Sequence, residues 1–340
     1  MSLKKLFAVG SLVISLLLGA SISADEINLY FETAPLPERL RPFSEPASLS
    51  LLATAADGTP LAGGWVNIRL EAPQSGGFFS TDFPLVEGTE LVEMRIPLKA
   101  GKAEWKYLFP IRGEYRLDVE VVTAAGTKIS KTFEFRIREH GTKWLILGSF
   151  TLGLFGVGFV AGRIFTPPAR HSKGAVHAIL LLVVIASFIL PGRWAMAQAA
   201  EDDRRLARLD IDAPTVGKPA RIHWRLDANG ASAKRSAVLS LAITHVEKGL
   251  TVFAVDRIPV EGEYAMSFHF TDGAEYRVTA NAKTPDGKSP HAEQVVAVTG
   301  VEPPLSAMMP AIGSFLAAIA AGLGVGRWSR RRRPHHDLLN

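Results

Sequence analysis

Cysteine is absent from this chain of 340 residues. Its absence excludes a disulfide framework, a thiolate metal site and a cysteine nucleophile, whichever compartment the protein occupies. Any part of the chain that is exported must therefore be held together by its packed core alone.

The common catalytic signatures are missing as well. The chain has no G-x-S-x-G, H-E-x-x-H or Walker element, and no G-x-G-x-x-G element between a strand and a soluble helix. The glycines at 156–158 lie inside an apolar run. We therefore expect no enzyme and no cofactor, and an envelope hydrolase is the weakest of the functions considered because no motif supports it.

The excess of basic charge lies beside the apolar segments and not on a folded region. The formal net charge is +5, yet residues 25–142 and 200–302 each contain more Asp and Glu than Lys and Arg. Nearly all the other Lys and Arg residues flank apolar runs, where such residues set the orientation of a chain in a bilayer. Binding to DNA or RNA is not expected, because it needs a basic face on a folded domain.

Four apolar segments predict the membrane topology. Residues 1–24 have the order of a secretory signal peptide, and 144–162, 174–192 and 303–326 are each long enough for a transmembrane helix. The positive-inside rule places the basic loop 163–173 and the basic tail 327–340 in the cytoplasm. The predicted location is a bacterial inner membrane, with regions 25–142 and 200–302 in the periplasm.

An internal repeat connects the two exported regions. Residues 101–126 align without gaps with 262–287, at an offset of 161, and share Glu-Tyr-Arg and two glycines. An Arg-Ile-Pro match upstream, at 95–97 and 257–259, needs one inserted residue. The chain is therefore interpreted as a tandem duplication of a leader, a β domain and an anchor.

The duplication gives the segment 174–192 a second interpretation. Ala197-Gln198-Ala199 follows it in the manner of a signal-peptidase site. Either the segment is retained as a transmembrane helix, which we favour, or the chain is cut near Ala199 and yields two anchored proteins.

Strict alternation of apolar and polar residues indicates strands in both exported regions. Val66, Ile68 and Leu70 alternate with polar neighbours in the first region, as 239–243 do in the second. The predicted fold class is all-β, with two immunoglobulin-like β-sandwich domains plus transmembrane α-helices. The tyrosines of the two Glu-Tyr-Arg motifs either form tyrosine corners or pack in the core, and core packing is favoured.

One stretch of the second region resembles a known family. Residues 244–278, THVEKGLTVFAVDRIPVEGEYAMSFHFTDGAEYRV, combine a strand, a G-x-Y turn and a closing G-x-x-Y-R strand. In this they are similar to the YtkA-like and FixH-like class of exported or membrane-tethered bacterial β-sandwiches. The resemblance implies a β-sandwich associated with respiratory oxidase assembly or metal handling. Phe253 and Val255 stand where the metal-linked members suggest a downstream histidine, which argues against copper.

Histidines are the residues that could hold a metal. Copper or zinc needs two or three convergent ligands, and the weak candidates are His245 and His269. Alternation places Met266 with Phe268, whereas His269 points to the opposite side. Structural or surface histidines are the favoured interpretation, so no metal site is predicted.

A loop and two helices are candidate contact surfaces. The loop at 72–94 is rich in Gly, Ser and Pro, and its apolar residues Phe78, Phe79 and Phe83 either fold back over the sandwich or bind a partner. Small residues four apart line two of the predicted helices, where they let another backbone approach closely; they are Gly158 and Gly162 in one helix, and Ala318, Gly322 and Gly326 in the other. These grooves serve either for packing among the protein's own three predicted helices or for binding a partner, and neither alternative is preferred.

Together these features predict a non-catalytic scaffold or accessory protein. It would be anchored in the lipid bilayer and act on a membrane-protein partner through protein–protein contacts. The alternative is a periplasmic copper-handling protein.

Overall fold

The computed structural model describes residues 27–75, 79–165, 207–226 and 236–331. The predicted signal peptide, the predicted span at 174–192, Phe78 and the site near Ala199 lie outside these residues. The strands of both repeats form one compact unit, and two helices form a second.

Antiparallel strands make up most of the described chain. The first repeat contains β1 (Ile27–Ala34), β2 (Ala47–Ala55), β3 (Gly63–Glu71), β4 (Glu90–Lys99), β5 (Lys102–Tyr107), β6 (Gly113–Thr123) and β7 (Lys128–Ile137). The second repeat contains β8 (Ala207–Ile211), β9 (Pro219–Leu226), β10 (Ser236–His245), β11 (Leu250–Glu261), β12 (Glu263–His269), β13 (Glu275–Lys283) and β14 (His291–Ala297). The predicted all-β, immunoglobulin-like class is confirmed.

The alternation in the sequence explains why these segments are strands. In β2, Leu49, Leu51 and Ala53 are buried, and the residues between them are exposed or half-buried. Leu239 and Leu241 are buried in the same way in β10. Because successive side chains of a strand point to opposite faces, each strand contributes one apolar face to the core.

Strand pairing continues from one repeat into the other. Within the first repeat β1-β2-β5 form one sheet and β4-β3-β6-β7 another, and the second repeat has the equivalent sets β8-β9-β12 and β11-β10-β13-β14. In addition, β5 pairs with β11 and β4 pairs with β12, all antiparallel. The result is a first extended sheet, β1-β2-β5-β11-β10-β13-β14, and a second extended sheet, β8-β9-β12-β4-β3-β6-β7.

The two extended sheets are linked and share their core. The turn between β4 and β5, where Lys99 lies opposite Lys102, connects them. One continuous cluster of buried residues runs through both repeats, from Leu29 to Val298. The sequence pattern predicts two separate β domains and gives no indication of this junction.

The second repeat has a β-bulge in β11 that β4 of the first repeat lacks. Leu239 lies opposite Ile258 and Leu241 opposite Val255, so that one residue of β10 faces two of β11. Arg257, in the bulge, has a φ of 59°, which is uncommon for a non-glycine residue. The length difference between the Arg-Ile-Pro match and the ungapped alignment is a separate one, because the first repeat has three residues there, 98–100, and the second has two, 260–261.

The two helices pack side by side in the same direction. They are α1 (Gly141–Ile164) and α2 (Leu305–Arg331), and both are long and apolar enough to cross a membrane. Near their carboxyl ends, Arg330 Nη1 donates to the carbonyl oxygen of Arg163 at 3.1 Å. These two candidate spans indicate membrane association, and they contain the predicted span 144–162 and most of 303–326.

Candidate functional site

The junction between the repeats is where the chain brings distant side chains together. Phe253 of β11 lies opposite Tyr107 of β5, and Phe268 of β12 lies opposite Val92 of β4. The ring centroids of Tyr107 and Phe268 are 6.5 Å apart, and those of Phe253 and Phe268 are 5.8 Å apart. These side chains are buried, so the centre of the junction is an aromatic core.

A small cleft opens beside this aromatic core. It is lined by Phe43, Tyr107, Leu108, Val252, Phe268, His269, Thr271 and Tyr276. The lining is mostly apolar and comes from both repeats. The cleft has room for about one water molecule, which is too little for an organic substrate.

His269 is a polar link across the junction. It is fully buried at 0% exposure, and its Nδ1 lies 3.1 Å from the Thr89 hydroxyl oxygen and 3.3 Å from the carbonyl oxygen of Glu90. Its Nε2 accepts a hydrogen bond from the backbone N–H of Gly217 at 3.1 Å. Because Nε2 is an acceptor, the proton of the neutral ring is on Nδ1 and is directed at the first repeat.

The environment of His269 keeps the ring neutral. Burial lowers the pKa of its imidazole, since a charged ring would lose its hydration, while the contact to Glu90 acts in the opposite direction. Alternation correctly placed this side chain opposite Met266. β4 of the first repeat covers this side, which the alternation pattern alone did not indicate.

His245, the other weak metal candidate, belongs to a separate hydrogen-bonded cluster. Its Nε2 is 3.3 Å from a carboxylate oxygen of Asp272, and its Nδ1 accepts the backbone N–H of Lys248 at 3.3 Å. Asp272 also accepts hydrogen bonds from Tyr276 and from Lys248 Nζ. Burial acts to raise the pKa of Asp272, but these hydrogen bonds outweigh burial and lower it.

The two candidate histidines therefore do not converge on one site. Both ring nitrogens of each histidine contact protein groups, and each histidine lies in a different cluster. Among the described residues, no group of three or more His, Asp or Glu side chains could hold a metal ion.

The tyrosines of the repeated motif are both buried and hydrogen-bonded. Tyr115 donates its hydroxyl proton to the carbonyl oxygen of Ile111 at 2.6 Å and accepts the N–H of the same residue at 3.2 Å. This is the geometry of a tyrosine corner. In the second repeat Tyr276 donates instead to the carboxylate of Asp272. Tyr115 therefore combines the two alternatives, since it packs in the core and also forms a tyrosine corner. A core tyrosine needs a partner for its hydroxyl.

The aromatic loop is partly folded onto the core. The ring of Phe83 packs against that of Phe43, with centroids 5.1 Å apart, at the edge of the hydrophobic cluster. Phe79 is half-buried, and Phe78 lies outside the described residues. For Phe83 the structure therefore places the side chain on the sandwich, and a partner contact through the loop stays a prediction.

The glycine grooves meet each other. A Cβ built on Gly158 would lie 2.3 Å from the backbone oxygen of Ile319, and one on Gly322 would lie 2.1 Å from that of Phe155. One turn later, a Cβ built on Gly162 would lie 2.4 Å from the backbone oxygen of Leu323.

The remaining two small residues lie on the same side of α2. A Cβ built on Gly326 would lie 2.2 Å from the backbone oxygen of Phe159. Ala318 is half-buried one turn before Gly322. Of the two alternatives for these grooves, the structure shows α1 and α2 packed on each other.

Comparisons with known proteins find similar folds only. No family model and no curated protein matches the chain. A conjugative transposon lipoprotein from Bacteroides eggerthii is 11% identical with a TM-score of 0.20, covering 26% of this chain and 93% of its own. Murine CRIg is 14% identical with a TM-score of 0.21, covering 28% and 98% respectively. The adhesin InvE of Yersinia pseudotuberculosis is 8% identical with a TM-score of 0.21, covering 81% and 61%.

These likenesses are low in identity and in TM-score, so the fold described above rests on the strands of this chain. The resemblance of residues 244–278 to YtkA-like and FixH-like domains is not tested by them and stays a prediction.

Proposed function

We propose that this protein is a non-catalytic, membrane-anchored scaffold that acts through protein–protein contacts. The observation that carries the proposal is the merging of the two repeats into two extended sheets around one continuous core. Such a unit presents large, rigid surfaces, whereas its junction cleft has no room for a substrate. The buried histidines are used for internal hydrogen bonds, which supports a structural role for them.

We further propose that the β unit lies on the outer side of a bacterial inner membrane. Arg163, Arg327 and Arg330 are all at the carboxyl ends of α1 and α2, and these ends lie together. The positive-inside rule assigns that end to the cytoplasm. The preceding strands of both repeats then lie in the periplasm.

The parallel order of the helices supports this topology. A chain that crosses a bilayer in α1 and again in the same direction in α2 must return across it between them. The predicted span at 174–192, outside the described residues, is the apolar run in that part of the sequence.

A photo-crosslinking experiment tests the scaffold proposal. A photoreactive residue replaces Tyr30, Val238 or Val295, whose side chains are 53%, 42% and 42% exposed on β1, β10 and β14. The control replaces Leu241, which is buried in the same strand as Val238. In intact cells we expect discrete adducts with another membrane or envelope protein from at least one exposed position and none from Leu241.

Two results would contradict the scaffold proposal. One is the absence of any protein adduct from all three exposed positions, with the chain migrating alone in mild detergent. The other is stoichiometric copper binding by the purified protein, which would favour the metal-handling alternative.

A further inference from the structure

We propose that the two repeats form a noncovalent dimer within one chain, in which each repeat is the specific partner of the other. The link between α1 and β8 would then be dispensable for assembly once both repeats have folded. This inference goes beyond the scaffold proposal, because it identifies what holds the molecule together and not what the molecule binds.

The junction in the β unit is symmetric. Phe268 is the equivalent of Tyr107 at the repeat offset of 161. Phe253 is the equivalent of Val92 by strand register, because it lies opposite Ile243 of β10 as Val92 lies opposite Leu70 of β3. Phe253 pairs with Tyr107 just as Val92 pairs with Phe268. Each repeat therefore uses the same two edges, and the contact is isologous, as in a twofold-symmetric dimer.

This junction also has the buried, hydrogen-bonded interior of a permanent interface. Phe253, Tyr107 and Phe268 are at most 3% exposed, and the N–H of Leu108 donates to the carbonyl oxygen of Val252 at 2.8 Å. The hydrogen bonds of His269 to Thr89 and of Lys99 Nζ to the carbonyl oxygen of Arg257 add polar contacts between repeats. Buried aromatic anchors surrounded by satisfied polar groups are typical of stable interfaces.

The helix pair shows the same symmetry independently of the strands. Gly158 contacts the backbone at Ile319, and its equivalent Gly322 contacts the backbone at Phe155, the equivalent of Ile319. The two helices thus repeat the exchange of contacts seen in the strands. Parallel helices that meet at two Gly-x-x-x-Gly motifs form stable dimers in membranes without a covalent link.

The two contact regions explain why the link is dispensable. A flexible link raises the effective concentration of its ends to the order of millimolar and adds no contact of its own. Interfaces that bury aromatic residues and pack helix backbones against each other do not depend on that contribution. The protein would have the same assembly as one chain or as two chains cut near Ala199.

Cutting the full-length chain tests the proposal. A recognition site for a specific protease is inserted after Ala200, with different affinity tags at the two ends, and the purified protein is cleaved in mild detergent. We expect both fragments to elute together at equal stoichiometry through either tag, also after extensive dilution. Separation of the fragments, or exchange into complexes of one fragment with itself, would overturn the proposal.

A matched pair of variants tests whether the strand junction carries the association. Ala254 of β11 is half-buried and lies opposite the exposed Lys106 of β5. Ala254→Lys places like charges opposite each other, whereas Ala254→Glu places opposite charges there, with the same strand and a side chain of similar length.

The expected difference between the two variants is in dissociation after cleavage. The fragments of Ala254→Lys should dissociate a few-fold more readily than those of Ala254→Glu. The difference should shrink in high salt, because screening weakens exposed charge pairs. Equal dissociation of both variants at low salt would show that β5 and β11 do not pair and would overturn the proposal, without bearing on external partners.

Discussion

His269 and Leu108 occupy equivalent positions in the two repeats, and both are buried. Leu108 needs no polar partner, whereas the His269 ring contacts Thr89, Glu90 and Gly217. The duplicated chain has therefore become asymmetric at its junction. The consequence is that one contact between the repeats depends on the protonation of a single ring.

The lowered pKa of His269 determines how the stability of the folded protein changes with pH. The folded pKa is lowered below the usual 6.5, so that the unfolded chain takes up a proton first as the pH falls. The contribution of the neutral ring to the free energy of unfolding is complete above about pH 6.5. It decreases as the pH falls below that value, by at most about 1.4 kcal/mol per pH unit. The carboxylate of Glu90, near this ring, is paired with Arg69 at 2.6 Å.

His269→Leu is expected to remove this pH dependence. At neutral pH the variant should be less stable by about 1–3 kcal/mol, chiefly because the buried N–H of Gly217 loses its acceptor, whereas the Thr89 hydroxyl keeps its hydrogen bond to the carbonyl oxygen of Val86. Between pH 6.5 and 5 the stability of the parent should fall more steeply than that of the variant. Denaturant unfolding at several pH values measures both effects, and parallel pH profiles would contradict the assignment.

At the scale of elements, the two helices show how small residues decide a contact. Hydrophobicity does not indicate which side of α1 packs against another helix, because almost every residue of α1 is apolar. The glycines do so, since they are the positions where the backbone of α2 approaches to within contact. The sequence therefore predicted the groove but left its occupant open.

The glycines of α1 allow a matched test of this packing. A Cβ at Gly158 would lie 2.3 Å from the backbone oxygen of Ile319, whereas a Cβ at Gly156 would meet nothing within 4 Å. Gly158→Ala should therefore force the helices apart and lower the thermal stability of the detergent-solubilised protein.

The control substitution is Gly156→Ala, which is expected to leave the stability unchanged or raise it slightly, because alanine favours the helix. Thermal unfolding, together with a distance measurement between labels on α1 and α2, distinguishes the two variants. An equal effect of both substitutions would contradict the observed contact.

At the scale of the whole molecule, strand pairing between repeats requires both β regions to be on one side of the membrane. Parallel packing of α1 and α2 makes the same demand by a separate route. Because the chain has no cysteine, single introduced cysteines can report on this topology without background.

Accessibility labelling of three single-cysteine variants measures the topology. Tyr30→Cys on β1 and Val295→Cys on β14 should both react with a membrane-impermeant maleimide added to spheroplasts. Asn340→Cys, at the basic end, should react only after the membrane is opened. Labelling of Tyr30→Cys without Val295→Cys, or of Asn340→Cys in sealed spheroplasts, would refute the proposed arrangement.

Several features were predictable because they depend on neighbouring residues only. The alternation around Val66 and Leu239 predicted strands, and the long apolar runs predicted α1 and α2. The direction in which His269 points also followed from alternation. The strand that covers the His269 side chain could not be predicted in this way, because it begins at Glu90, 179 residues away in the chain.

Local patterns in the sequence were enough to predict the strands, α1 and α2, and they also reveal the repeat and the basic residues that flank the apolar runs. Only the tertiary structure decided that β5 pairs with β11 and β4 with β12, that α1 and α2 fill each other's grooves, and that His269 is buried. The physical reason is that a strand's pattern specifies which of its faces is apolar but not which strand lies beside it. The choice of neighbour is made by packing between residues far apart in the chain.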